Sequence, residues 1–120
     1  MIAQVTDRIQ GMTLPAGIRE AAAEVLLETM PADERRHTEA AIAFSFLALG
    51  LRDPALARVQ RLHFTSMYEL CARLAPPPSA RRLHAIVDGL TVHVLAGHLT
   101  VAEMVAELGA YLDELFPPGS

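Results

Sequence analysis

Proline and glycine divide this sequence into intervals of one kind. Pro31, Pro54 and the run from Pro76 to Pro78, together with Gly50 and Gly97, bound stretches longer than an ordinary strand and long enough for several helical turns. The residues between these marks are chiefly Ala and Leu. β-branched and aromatic residues are sparse and Trp is absent, so the intervals favour helix over sheet. The spacing predicts an all-α chain of five helices with a short lead-in.

The segment "TLPAG" offers Thr13 and Pro15 as a helix start, and "IREAAAEVLLET" follows with Ile18, Ala22, Val25 and Leu26 on one side until Pro31 closes it. "ADERRHTEAAIAFSFLALG" places acids in its first turn, suited to the positive end of the helix dipole, and ends at Gly50 as an expected C′ residue. In "LRDPAL", Asp53 can cap free amides and Pro54 fits the first helical position, so a helix is expected from there to about Leu74. Ser79 is expected to cap the fourth helix. "TVAE" at Thr100 to Glu103 has the form of a capping box that opens a fifth, ending near Leu115. The length, 120 residues, is that of one domain and allows roughly two-thirds of the unfolded surface to be buried.

Ten basic residues, all Arg, stand against fourteen acids, giving a net charge of −4. That excludes the concentrated positive field of a nucleic-acid-binding surface; the pairs Arg35–Arg36 and Arg81–Arg82 read as solvated faces. One cysteine forms no internal disulfide and fits a reducing cytoplasm, where the chain is expected to reside. The start "MIAQVTDRIQ" lacks the apolar core of a signal peptide, and no run reaches the roughly 18 apolar residues of a spanning helix. No membrane association is expected.

The fourth helix has a glycine at its centre, where Gly costs about 1 kcal/mol relative to Ala. Leu83, Ile86, Val87, Leu90 and Val94 form its large apolar stripe, while Ala85, Gly89, His93 and Ala96 form a neighbouring stripe of mainly small residues. The last helix repeats the arrangement, with Val101, Met104, Val105, Leu108, Leu112 and Leu115 large, and Ala102, Ala106, Gly109 and Ala110 small. Both small stripes can pack inside one subunit, or a second copy can cover them. Two helices with two apolar faces each, and three other helices to cover them, favour the second arrangement. A homodimer is therefore expected through Ala85, Ile86, Gly89, Leu90, Val101, Met104, Val105, Leu108 and Leu112.

The order of a helix ending before "LRDPAL", a long amphipathic helix, a helix with "LHAIVDGL" and a closing "AEMVAELGAYLDEL" resembles the C-terminal domain of the TetR family of transcriptional regulators, in particular its BetI-like branch. The resemblance covers about Leu14 to Leu115 and implies an effector-binding and dimerisation domain. The last two helices would pair with those of a second subunit, and the earlier helices would enclose a small, mostly apolar effector. It divides the chain into a linker-helix remnant at 1–12, the domain at 13–116 and a tail at 117–120. Such regulators carry an N-terminal helix-turn-helix head, which these residues do not include, so DNA contact is expected only through that head. A headless helical interaction module that dimerises without a ligand is the alternative.

His63, Met67 and Cys71 recur every four residues and can face Phe44 and Leu47 across the bundle, either as pocket lining or as plain core. The resemblance favours the pocket. His93 can serve the pocket or the subunit crossing. His84 and Asp88 are one turn apart without a third ligand on that face, so a hydrogen bond is expected and no metal site. His93 and His98 diverge around the helix, and His37 falls in an exposed first turn. Cys71 has no evident base, and no phosphate loop, nucleophile elbow or paired-carboxylate motif occurs. No enzyme activity and no cofactor are expected.

Overall fold

The computed structural model describes residues 7–9 and 17–117. Five α-helices carry the fold: α1 (Ile18–Glu28), α2 (Glu34–Gly50), α3 (Pro54–Leu74), α4 (Ala80–Leu95) and α5 (Val101–Leu115), with a 3-10 turn at Pro77–Ser79 and helical residues at 7–9. No strand occurs among the described residues. The all-α class and the five main helices agree with the sequence reading. The start expected at Thr13 to Pro15, most of the linker segment 1–12 and residues 118–120 lie outside the described residues.

Local chemistry sets most helix boundaries. Asp33 accepts a hydrogen bond from the Arg36 amide at 2.8 Å, and Asp53 accepts one from the Ala55 amide at 2.9 Å with Pro54 beginning α3. At α5 the capping box is complete: Thr100 Oγ1 accepts from the Glu103 amide, and Glu103 Oε1 accepts from the Thr100 amide, each at 3.0 Å. Gly97, at φ +75, takes the left-handed conformation that lets α4 stop and the chain reverse.

Two expected caps take another form. Ser79 makes no side-chain cap bond, because it lies in the 3-10 turn that runs directly into α4, its backbone already in the αR region. Gly50 is the last residue of α2 and is not left-handed. It serves close approach instead, since a Cβ there would meet Gln60 atoms at 3.0–3.3 Å while Gln60 Nε2 donates to the Leu47 carbonyl at 2.8 Å.

The packing runs α1 against α5, α5 against α4, α4 against α3 and α2, and α3 against α2. Ala22, Leu26, Met30, Cys71, Leu83, Val87, Val94, Met104, Leu108 and Leu112 form the continuous core. Arg19 fastens α1 to α5 by donating to Asp113 Oδ1 at 2.8 Å and to the Gly109 carbonyl at 3.0 Å. Gly109 is thereby explained within the subunit, because a Cβ there would stand 3.1 Å from the Arg19 guanidinium. Arg81 lies over the Tyr68 ring at 3.9 Å and adds a cation–π contact between α3 and α4.

This core corrects part of the interface read from sequence. Met104, Leu108 and Leu112 are completely covered by their own subunit, because α1 lies on α5 and takes up its large stripe. Ile86 and Leu90 are half-buried. The outer faces of α4 and α5 carry Ala85, Val92, His93, Val101, Ala102, Val105 and Ala106, all exposed. Gly89 lies between them, and a Cβ built on it meets nothing within 4 Å.

Candidate functional site

A half-open cavity of about 240 Å³ lies between the C-terminal end of α1 and helices α2, α3 and α4. Ala40, Ala43 and Phe44 line it from α2, and His63, Met67 and Leu70 from α3, with Val87 contributed by α4. The small alanines make the space: they lie one turn apart on the inward face of α2, where larger side chains would close it.

Of the residues read from sequence as candidate pocket lining, Phe44, His63 and Met67 lie at this cavity. Leu47 and Cys71 do not. Both are buried in the packed interior, Cys71 completely, and its thiol is pushed up to about 11 by burial. At neutral pH that thiol is protonated and inaccessible, the opposite of a reactive nucleophile. His93 faces outward, with its ring edge-on to His98 at 5.6 Å, so it belongs to the outer face of α4 and not to the cavity. Burial lowers the pKa of His63, which keeps the imidazole neutral near pH 7.

Charged side chains at the cavity are what the apolar periodicity concealed. Glu28, Arg36, Glu39, Glu69, Arg73 and Asp88 all contribute to its lining. Glu28 is nearly fully buried and receives two guanidinium groups: Arg8 Nε donates to Oε1, and Arg36 Nη2 lies 3.0 Å from Oε2. Arg8 also grips Glu39 in a fork, Nη1 to Oε2 at 2.9 Å and Nη2 to Oε1 at 2.7 Å. The Arg8–Glu39 fork has the bidentate geometry in which Arg–carboxylate pairs are strongest, while Glu28 receives one contact from each guanidinium. In sequence, Glu28 falls three residues after Val25 on the apolar stripe of α1, and a carboxylate at such a position signals a buried cation partner.

At the opposite wall, His84 Nε2 is 3.1 Å from Asp88 Oδ2, close enough for attraction but not aligned for the expected hydrogen bond. The Phe64 ring lies 5.9 Å from that of His84. Among the described residues no group of three or more His, Cys, Asp or Glu side chains could hold a metal ion. No helix among them is long and apolar enough to cross a membrane.

The cavity is walled by four helices of one small all-α domain, and the outer faces of α4 and α5 are left open. The family assignment is direct: the family model described as BetI-type transcriptional repressor, C-terminal, matches residues 18–117, and the chain belongs to that family. Searches of curated proteins and of solved structures find no match. The chain is therefore a TetR-type C-terminal domain of a transcriptional repressor family, a family of regulators and not of enzymes.

Proposed function

We propose that this domain binds a small organic effector in the cavity between α1, α2, α3 and α4, and dimerises through the outer faces of α4 and α5. The cavity is the observation that carries the reading: a well-packed domain of this size has little reason to keep about 240 Å³ open between its helices. The effector is expected to combine an apolar body, set against Phe44, Met67 and Val87, with polar groups that meet the charged ends. This modifies the mostly apolar ligand expected from sequence.

The dimer is supported by Val92, Val101 and Val105, each exposed on α4 or α5, and by the open space at Gly89. Small residues permit two helices to approach closely, and a two-fold axis would bring the same stripe from both subunits together. In a regulator the cytoplasmic domain would transmit effector occupancy to a DNA-binding head. An effector does so only if it binds one dimer arrangement more tightly than the other.

Native mass spectrometry tests both halves in one spectrum. A dimer with retained mass, lost on Ala43→Phe substitution that fills the cavity, is the expected result. A bare monomer at micromolar concentration would refute the interface, and retained mass unaffected by Ala43→Phe would refute the cavity as its location.

A further inference from the structure

The cavity wall is not complete within the helices that enclose it. Ile9 lines it, and the neighbouring Arg8 lies behind two of its carboxylates, Glu28 and Glu39. Glu28 keeps Arg36 as a second cation, but the ion pair of Glu39 among the described residues is with Arg8. The Glu39 side chain is 14% exposed, so water alone compensates it poorly. With Arg8 in place, Glu39 has its own guanidinium partner and Glu28 has two, although Arg36 is shared with the more exposed Asp33 carboxylate at 3.3 Å. Without Arg8, one carboxylate is left uncompensated beside the ligand space.

Resting on the reading of the cavity as an effector site, we infer that Arg8 is a specificity-determining residue: it sets the charge preference of the cavity from behind the wall. It holds the α1–α2 end open to neutral ligands and denies organic cations the carboxylate they would otherwise pair with. Arg8 and Ile9 lie outside the five main helices, so these two residues would supply part of the ligand site. A cation entering the cavity has to share Glu39 with Arg8 or displace it, whereas a neutral ligand leaves the fork intact.

The test uses Nile red, which is neutral, and Nile blue, a cation on a closely related fused-ring skeleton, titrated by fluorescence into the whole protein. Arg8→Gln is expected to raise Nile blue affinity about tenfold relative to Nile red, the scale of one uncompensated charge in a partly solvated site. Arg8→Lys should restore the wild-type ratio to within about twofold, since it returns the charge without the fork. Glu39→Gln should shift the ratio the other way, and supplies the answer independently if Arg8→Gln does not fold. Ala43→Phe should abolish the binding of both dyes and so locate them. An unchanged ratio in Arg8→Gln and Glu39→Gln, with both dyes still excluded by Ala43→Phe, would overturn the role of Arg8 and leave the cavity reading intact. Failure of both dyes to bind the wild-type protein, or binding indifferent to Ala43→Phe, would overturn the cavity reading and this inference with it.

Discussion

Gly89→Leu separates a glycine that serves subunit pairing from one that merely weakens a helix. Within one subunit a Cβ at this position meets no atom within 4 Å, and the helix continues on both sides. Replacing Gly in a helix interior should therefore stabilise the monomer by about 1 kcal/mol. For a domain of this size that raises the thermal midpoint by about 4 °C when measured well below the dimer dissociation constant. In the proposed dimer the same substitution enters the crossing from both subunits. Overpacking costs about 1–3 kcal/mol per site, so the dimer should lose about 2–6 kcal/mol and its Kd should rise at least about 30-fold. Sedimentation velocity over a dilution series reads the Kd, and a melt of the dilute protein reads the monomer. A raised midpoint with an unchanged Kd would remove Gly89 from any subunit contact. A lowered midpoint in the dilute monomer would show that the space around Gly89 is filled within the subunit, and would refute its place at a subunit crossing.

Other substitutions probe the charged wall and the caps. Glu28→Gln removes the carboxylate shared by Arg8 and Arg36; discounted for the partial exposure of both arginines, the loss should be about 1–3 kcal/mol in urea unfolding, and a neutral result would mean that water already serves these groups. Thr100→Ala breaks one half of the capping box and should cost about 1 kcal/mol in the same assay, with near-UV signals retained. Because the folded state holds the Cys71 thiol protonated to about 11 while an exposed thiol ionises near 9, the unfolded chain releases its proton first. Stability should be intact below pH 9 and decline by up to about 3 kcal/mol through pH 11, and Cys71→Ala should flatten that decline. His63 behaves oppositely: its lowered pKa means that acidification below about 6.5 protonates the unfolded chain first and erodes stability, an effect His63→Gln should reduce.

The bundle was legible because its signals are local. Asp53–Pro54, Thr100–Glu103 and Gly97 act within a turn of their own position, and the structure bears out each of them. Gly50 and Ser79 deceived for a related reason: each has the residue type of a cap, but the neighbours decide, Gln60 packed across from one and a 3-10 turn leading into the other. The helix stripes were read correctly as stripes and incompletely as partners. Periodicity shows that Met104, Leu108 and Leu112 share a face with one another, but whether α1 or a second subunit covers that face depends on topology, which no window of sequence contains. The cavity was half legible for the same reason. Phe44, His63 and Met67 follow from helical spacing, whereas Arg8, Glu28 and Glu39 meet across 20 and 31 residues of chain and have no local pattern linking them.

What joins the two open surfaces is α4, and its residues divide between them in direct succession. Val87, Asp88 and Thr91 line the cavity, while Ala85, Gly89, Val92 and His93 belong to the outer side. A helix transmits a displacement of one face to the other because its backbone hydrogen bonds keep it rigid over these few turns. In the proposed assembly, a ligand that presses on Asp88 or Thr91 therefore moves the helix crossing at Gly89 by a comparable amount, with no separate pathway needed between them. The small side chains at the crossing make it responsive, since closely approaching backbones tolerate little displacement before contacts are lost. Asp88→Asn is the sharpest probe of that link, because it changes the charge at the cavity and nothing on the outer face. If α4 couples the two sides, the variant should shift the dimer Kd measurably in the presence of a cavity-bound dye and not in its absence. An equal shift in both conditions would instead mean that Asp88 supports α4 structurally through His84.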